Sequence, residues 1–303
     1  MNLTQNKMLV GAALAVLATL IWSGNFIIAR SVAQQIHPVS LAFFRWITAT
    51  AILFPIGFSA MRKDWPTIKQ HLPMLCFSAL AGITFFNTFI YIAGHYSPAI
   101  NLALVGNTSA PILAILLARI FLKELITPRR MVGLAICIIG IFTLLSKGNF
   151  QNLLSLRFTK GDIYMLMAGL SFAVYTILVK KKPSGISPTA FLLSIFILGT
   201  LFLVPFFIYE RSYAPPIQWR NQDFAIILYL GLGTSVISFL SWNAAIARMG
   251  AARTALFGNL TPLFSAIEAV IFLGEKITRF HVISFVLVIA GLVIANSKPV
   301  KSN

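Results

Sequence analysis

The feature that most constrains this chain is that it says nearly the same thing twice. Residues 99–127 read AINLALVGNTSAPILAILLARIFLKELIT, and residues 250–278 read GAARTALFGNLTPLFSAIEAVIFLGEKIT. At one constant offset Pro111 falls on Pro262, Ala118 on Ala269, Glu124 on Glu275 and Thr127 on Thr278. Apolar coincidences are cheap, but a proline, a glutamate and a threonine in one register are not. The register extends outward: Gly11 pairs with Gly161, Pro38 with Pro188 and Pro55 with Pro205. After a short slip Gly82 pairs with Gly233 and Gly140 with Gly291. Whatever one half folds into, the other must fold into as well.

Composition decides which fold class that is. Of 303 residues 58% are hydrophobic and only 10% charged, too little charge to cover a soluble protein of this size. A spanning helix needs roughly 20 apolar residues. Ten such runs are found, near 8–29, 40–60, 73–93, 101–122, 131–146, 161–179, 189–209, 224–246, 253–273 and 282–297. The reading is an all-α polytopic membrane protein of ten transmembrane helices, with a first five-helix repeat over 1–147, a linker over 148–160 and a second repeat over 161–303. Five is odd, so the second repeat crosses the membrane in the opposite sense, giving inverted repeats around a central cavity. Matched prolines, Pro55 with Pro205 and Pro111 with Pro262, imply the same bends in both halves.

The net charge of +17 could point to nucleic acid. The distribution points instead to cytoplasmic loops, where Lys and Arg accumulate. With the N-terminus inside, the larger share falls on the inner side, including Arg62, Lys63 and Lys69, Arg119, Lys123, Arg129 and Arg130, and Lys180 to Lys182. Both termini are therefore expected in the cytoplasm and no nucleic-acid partner is expected. Cys76 and Cys137 sit in apolar runs without metal-ligand spacing and read as small buried side chains. The first apolar run continues past Trp22 without a small-residue cleavage site and reads as a span.

Several residues carry a resemblance. The pattern Pro111…Glu124, repeated as Pro262…Gly274-Glu275, together with Trp22-Ser23, Arg45 and Gly161-Asp162, resembles the EamA type of the drug/metabolite transporter superfamily over essentially the whole chain. The first repeat departs from the pattern by reading Lys123-Glu124 where Gly-Glu is usual. The resemblance implies a central cavity lined by spans 1, 3, 4, 6, 8 and 9, and the movement of small metabolites, amino acids or drugs, commonly outward. It implies a bacterial inner-membrane protein surrounded by lipid, with a small-molecule substrate and no cofactor; a ten-helix inverted repeat can form a complete cavity as a monomer, and transport is either coupled to protons or facilitated. Amino-acid or related metabolite export by alternating access leads; efflux of drugs or organic cations is the alternative. An enzyme lacks its constellation here, with no HExxH, no GxSxG and only seven acidic residues. A receptor or scaffold makes no evident use of an inverted repeat with matched kinks; a channel stays open as an alternative, against which saturable, structure-selective flux with counterflow would argue.

Candidate site residues come from polar groups inside the spans. In the ninth run Thr254, Gly258, Thr261, Ser265 and Glu268 recur at helical spacing and share one face. Glu268, at an intramembrane cost of roughly 2.5–3.5 kcal/mol, reads either as a substrate-ammonium or proton-coupling carboxylate or as a packing hydrogen bonder. Its repeat mate is Leu117, so duplication does not require it. Arg45 is the lone deep cation. It either snorkels to the outer surface, pairs with Glu268, or receives a substrate carboxylate, in which case the two charges together would hold a zwitterion. The third run carries Thr84, Asn87, Thr88, Tyr91 and His95. Tyr91 is matched by Trp242, beside Asn243, while Trp22 pairs with Phe172 and Asn25 with Tyr175. Aromatic groups with a few polar ones suit small organic molecules. Asn101 and Thr108 in the fourth run and Asn259 in the ninth add hydrogen-bonding groups or interhelical contacts. Glu124 and Glu275 end helices and read as structural; His37, His95 and His281 lie near the outer surface and make no metal site.

Overall fold

A computed structural model of the chain describes residues 3–32, 35–97, 99–146, 149, 151, 154, 159–273 and 278–296. Among them every regular element is helical. In chain order these are α1 (Leu3–Val32), α2 (Pro38–Lys63), the short α3 (Trp65–Gln70), α4 (Leu72–Tyr96), α5 (Ala99–Leu122), α6 (Pro128–Ser146), α7 (Lys160–Lys180), α8 (Pro188–Tyr213), α9 (Asn221–Met249), α10 (Ala251–Leu256), α11 (Thr261–Leu273) and α12 (Arg279–Asn296). Among the described residues seven helices are long and apolar enough to cross a membrane, lying in α1, α2, α4, α7, α8, α9 and α12. Ser109–Leu122 of α5 is a shorter apolar helix. The molecule is apolar on the outside, with Ile56, Phe77, Ile120, Val286 and Val293 all exposed, while Arg45, Asn87, Asn259 and Thr234 are buried. That inversion of the soluble pattern is what lipid contact demands.

Helix boundaries follow local chemistry. Pro38 and Pro188 open α2 and α8, where a missing N–H costs nothing. Thr159 and Asp162 form a reciprocal capping box at the start of α7. Thr127 accepts the Arg130 amide at 3.3 Å, the cap expected for α6. The α5 terminus shows why its pattern usually has glycine: the Glu124 N–H reaches back to the Ala118 carbonyl at 3.2 Å while Lys123 takes φ 54°. This is a left-handed terminator, normally glycine, occupied here by a lysine.

Packing ties the halves together. α2 lies on α8, α1 on α9, α4 and α5 on α7, and α6 on α12. At the last pair Gly133 faces the Gly291 carbonyl and Ala295, leaving no room for a Cβ. The α2–α8 pair is clasped at both ends. Buried Glu210 on α8 accepts from the Val39 and Ser40 amides at 2.9 and 2.6 Å, and from the Ser40 hydroxyl at 2.6 Å. Asp64, just after α2, accepts from the Ser187 amide at 2.8 Å. Each carboxylate satisfies orphan N–H groups at the start of the partner helix. Glu124 does the same across the molecule, facing the Ala251 and Ala252 amides at 3.1 and 3.4 Å, beside Gly250 with its φ of 89°. The structural reading of Glu124 stands, with its partner in the other half. Glu275, with Gly274, lies outside the described residues.

Three departures from regular α-helix bear on the interior of the molecule. Leu80–Phe85 in α4 and Tyr229–Ile237 in α9 are π-helical. Between α10 and α11, Phe257–Leu260 is a 3-10 turn. Pro262 has no N–H to give the Gly258 carbonyl, which is instead taken by the Thr261 amide one residue nearer. Its mate Pro111 sits inside an unbroken α5, so the expected equal bends are realised differently in the two halves.

Candidate functional site

The largest group of sequence-selected residues converges on one cavity of about 90 Å³. Trp22 and Asn25 come from α1, Phe86, Asn87 and Ile90 from α4, Pro111 and Ala114 from α5, and Met165, Phe172 and Thr176 from α7. Trp242 of α9, Ala255 of α10, Gly258 of the 3-10 turn and Thr261 of α11 complete much of the wall. These elements correspond to apolar runs 1, 3, 4, 6, 8 and 9. The aromatic groups touch one another. Trp22 meets Phe172 edge-on at 5.5 Å and Trp242 at 5.0 Å, and Phe86 stacks on Phe172 at 4.6 Å. Such geometry rigidifies an apolar wall.

Arg45 lies behind this wall. It is 1% exposed and does not snorkel. Its Nε donates to the Ser235 hydroxyl at 2.7 Å and its Nη2 to the Thr234 carbonyl at 3.0 Å. Its Nη1 faces Asn87 Oδ1 at 2.8 Å, Tyr91 Oη at 3.0 Å and Asn25 Oδ1 at 3.2 Å. Tyr91 in turn donates to Asn25 Oδ1 at 3.2 Å. All these acceptors are neutral, and among the described residues no carboxylate lies within ion-pair reach of Arg45. The π-helical stretch of α9 presents the Thr234 carbonyl, which also accepts the Trp22 indole N–H at 2.9 Å. A regular α-helix would use that oxygen for its own ladder.

Two residues of the cavity wall each hold a buried donor with no partner. Asn87 and Trp242 are each 1% exposed, both line the cavity, and Asn87 Nδ2 and Trp242 Nε1 make no hydrogen bond. Buried polar groups are rarely left unpaired, and an exception of this kind calls for a ligand, an ion or water. Tyr175 and Asn243, each expected at the cavity, do not line it; Tyr175 instead donates to Asn243 Oδ1 at 2.9 Å.

Glu268 and Ser265 do not line the cavity. The Ser23 hydroxyl donates to Glu268 Oε1 at 2.5 Å, and the Ser265 hydroxyl to the Ser23 carbonyl at 3.1 Å. Glu268 Oε2 is buried and unpartnered. Treating the ninth run as one continuous helix puts Thr254 through Glu268 on one face. The 3-10 turn breaks that phase, so Gly258 and Thr261 reach the cavity while Ser265 and Glu268 turn onto α1. The expected Arg45–Glu268 pair is not formed. The side chains of Asn101 and Thr108 lie outside the described residues. Phe86, Ile90, Met165 and Thr176 are not selected by sequence reasoning; nothing distinguishes their types from those facing lipid. Only the i, i+3 and i+4 relation to Asn87 could have flagged Ile90.

An all-helical body with a lipid-compatible exterior and an aromatic, donor-bearing internal cavity defines an integral membrane protein of the transporter class. The chain matches the EamA-like transporter family over residues 9–146 and again over 159–297 and belongs to that family. It is 31% identical to an uncharacterized transporter of Archaeoglobus fulgidus, over 94% of this chain and 96% of that protein. It is 24% identical to a probable terminal-alkyne amino-acid exporter of Streptantibioticus cattleyicolor, over 93% and 92% respectively. A solved crystal structure shares the fold with a TM-score of 0.76 at 17% identity, covering 96% of each chain. The Archaeoglobus and Streptantibioticus relatives and the family are transporters, not enzymes, and the family implies a small-molecule substrate.

Proposed function

We propose that this protein exports amino acids or related small metabolites across the bacterial inner membrane by alternating access. In this reading ten spans form two inverted five-helix repeats, 1–147 and 161–303 with a linker over 148–160, and both termini are cytoplasmic. The repeats enclose the cavity in a monomer, and protons drive the cycle. The duplication is supported by the family's two separate matches and by packing that is unchanged when the halves are exchanged: α1 on α9 mirrors α7 on α4, and α5 on α7 mirrors α11 on α1. The π-helical segments fall in corresponding spans of the two halves. Discontinuous or irregular helices at the cavity are the common device of such transporters.

The observation that carries the proposal is the aromatic cavity with two unpartnered donors, Asn87 Nδ2 and Trp242 Nε1. The name of the Streptantibioticus relative, an amino-acid exporter, lends the substrate class. Efflux of organic cations is the second reading, and one observation favours it: the buried, unpartnered Glu268 Oε2. Thermal unfolding of the purified chain with amino acids, purines and hydrophobic cations separates the two, because a ligand bound to the native state raises the melting temperature by mass action. Stabilisation by amino acids is expected. Stabilisation by hydrophobic cations alone, lost in Glu268→Gln, would replace the first reading with the second.

A further inference from the structure

We infer that the cavity selects organic monocarboxylates with an apolar body, that it binds the carboxylate through Asn87 Nδ2 and Trp242 Nε1, and that Arg45 is a positioning residue that never touches the ligand. The inference deepens the transport reading of this same cavity and rests on it.

Arg45 fixes the orientation of the Asn87 amide. The guanidinium has donors only, so the atom of Asn87 that faces Nη1 at 2.8 Å must be the carbonyl oxygen. The amide nitrogen is thereby turned away from the guanidinium, and it is this nitrogen that has no partner while its residue lines the cavity. Trp242 supplies an indole N–H, which cannot accept. It is unpartnered, whereas the indole of Trp22 beside it is already engaged on Thr234. Two residues of the wall therefore each keep a buried, unused donor that calls for an acceptor.

Charge decides which acceptor. Arg45 is a full positive charge, 1% exposed, held only by neutral oxygens, and no acidic side chain lines the cavity among the described residues. In a low-dielectric interior an uncompensated cation attracts an anion over several ångströms and repels a second cation. A carboxylate meets both the donors and the field. An ammonium meets neither. Nothing on the wall calls for the α-amine of an amino acid, while Trp22, Phe86 and Phe172 call for an apolar or aromatic body. Arg45 acts through Asn87, whose amide it locks, and through its charge.

The test uses the purified full-length protein and four probes of one shape: 3-phenylpropionate, phenylalanine, 3-phenylpropanamide and phenethylamine. Melting temperature is titrated with each. Stabilisation by 3-phenylpropionate and by phenylalanine, with at least about tenfold weaker half-saturation for the amide and none for phenethylamine, is expected. In Trp242→Phe, which keeps the ring and removes the N–H, carboxylate half-saturation weakens about tenfold. Asn87→Asp places a carboxylate against Arg45, so the ligand-free protein melts no lower than wild type while its response to 3-phenylpropionate disappears. Arg45→Lys lowers the discrimination between carboxylate and amide, a ratio that a merely structural role would leave alone. Binding of phenethylamine without 3-phenylpropionate overturns this inference and leaves transport by the cavity standing. Silence from all four probes overturns the inference; proteoliposome uptake of the amino-acid panel then decides the transport reading separately.

Discussion

Arg45 and Glu268 are the two charges placed deep in the membrane-spanning body, and they are treated in opposite ways. Every nitrogen of the Arg45 guanidinium meets an oxygen, from Asn25, Asn87, Tyr91, Ser235 or the Thr234 carbonyl. Glu268 has one oxygen on Ser23 and one on nothing. A charge surrounded by fixed dipoles is part of the framework, and removing it strands its acceptors. A charge left half-solvated by protein is poised to change its partner. The difference teaches that depth in the bilayer alone does not distinguish a structural charge from a working one; the completeness of its hydrogen-bond shell does.

Replacing Arg45 with Met should break the contrast most severely, removing five hydrogen bonds and leaving buried Asn87 Oδ1 without its donor, at a cost of about 3–5 kcal/mol in stability, read from the melting temperature in detergent. A smaller effect is expected at Ser23. Its change to Ala removes the single hydrogen bond of Glu268 and should cost about 1–2 kcal/mol; no loss would mean that Glu268 has other support. Glu268→Gln should alter stability by less than about 1 kcal/mol, because the Ser23 bond to Oε1 survives. In proteoliposomes the same variant should lose uptake driven by an imposed pH gradient while retaining exchange of substrate at equal pH. Retained gradient-driven uptake would remove Glu268 from the coupling role.

A surface carboxylate gives the reference for both. The Ser187 amide and then its hydroxyl hold the Asp64 carboxyl below its usual value. Its folded pKa is depressed, so its contribution is present above the unfolded value of about 3.9 and is lost as pH falls through the folded one. The melting advantage of wild type over Asp64→Asn should therefore be small at neutral pH and vanish as pH falls through the depressed folded pKa. An advantage that persisted in acid would show that side-chain shape, not charge, makes the clasp.

Much of the fold is legible from sequence, for reasons of differing strength. Apolar runs long enough to span, and Thr127 at a helix start, are read from local chemistry that tertiary context rarely overrides, whereas Pro38 and Pro188 are read only as matched positions and prove to open α2 and α8. Trp22, Asn25, Asn87, Trp242 and Thr261 are found at the cavity because polar or amphipathic residues inside a span have few places to go. Phe86 and Met165 escape notice because an apolar cavity wall and a lipid-facing surface use the same residues. Spacing brings Glu268 to the cavity only if α-helical phase runs through Pro262, and there the chain makes a 3-10 turn. The π-helical segments leave no trace that composition or period could detect, yet one of them frees the carbonyl that anchors both Arg45 and Trp22.

Glu124 has a further consequence for how the molecule is made. Its side chain, at the end of α5, meets the amides of Ala251 and Ala252, which are synthesised 127 and 128 residues later. During biogenesis the first half therefore enters the bilayer with this carboxylate unclaimed, and only arrival of the second half supplies its partners. A chain that stops before Gly250 lacks both amides that Glu124 meets in the folded protein.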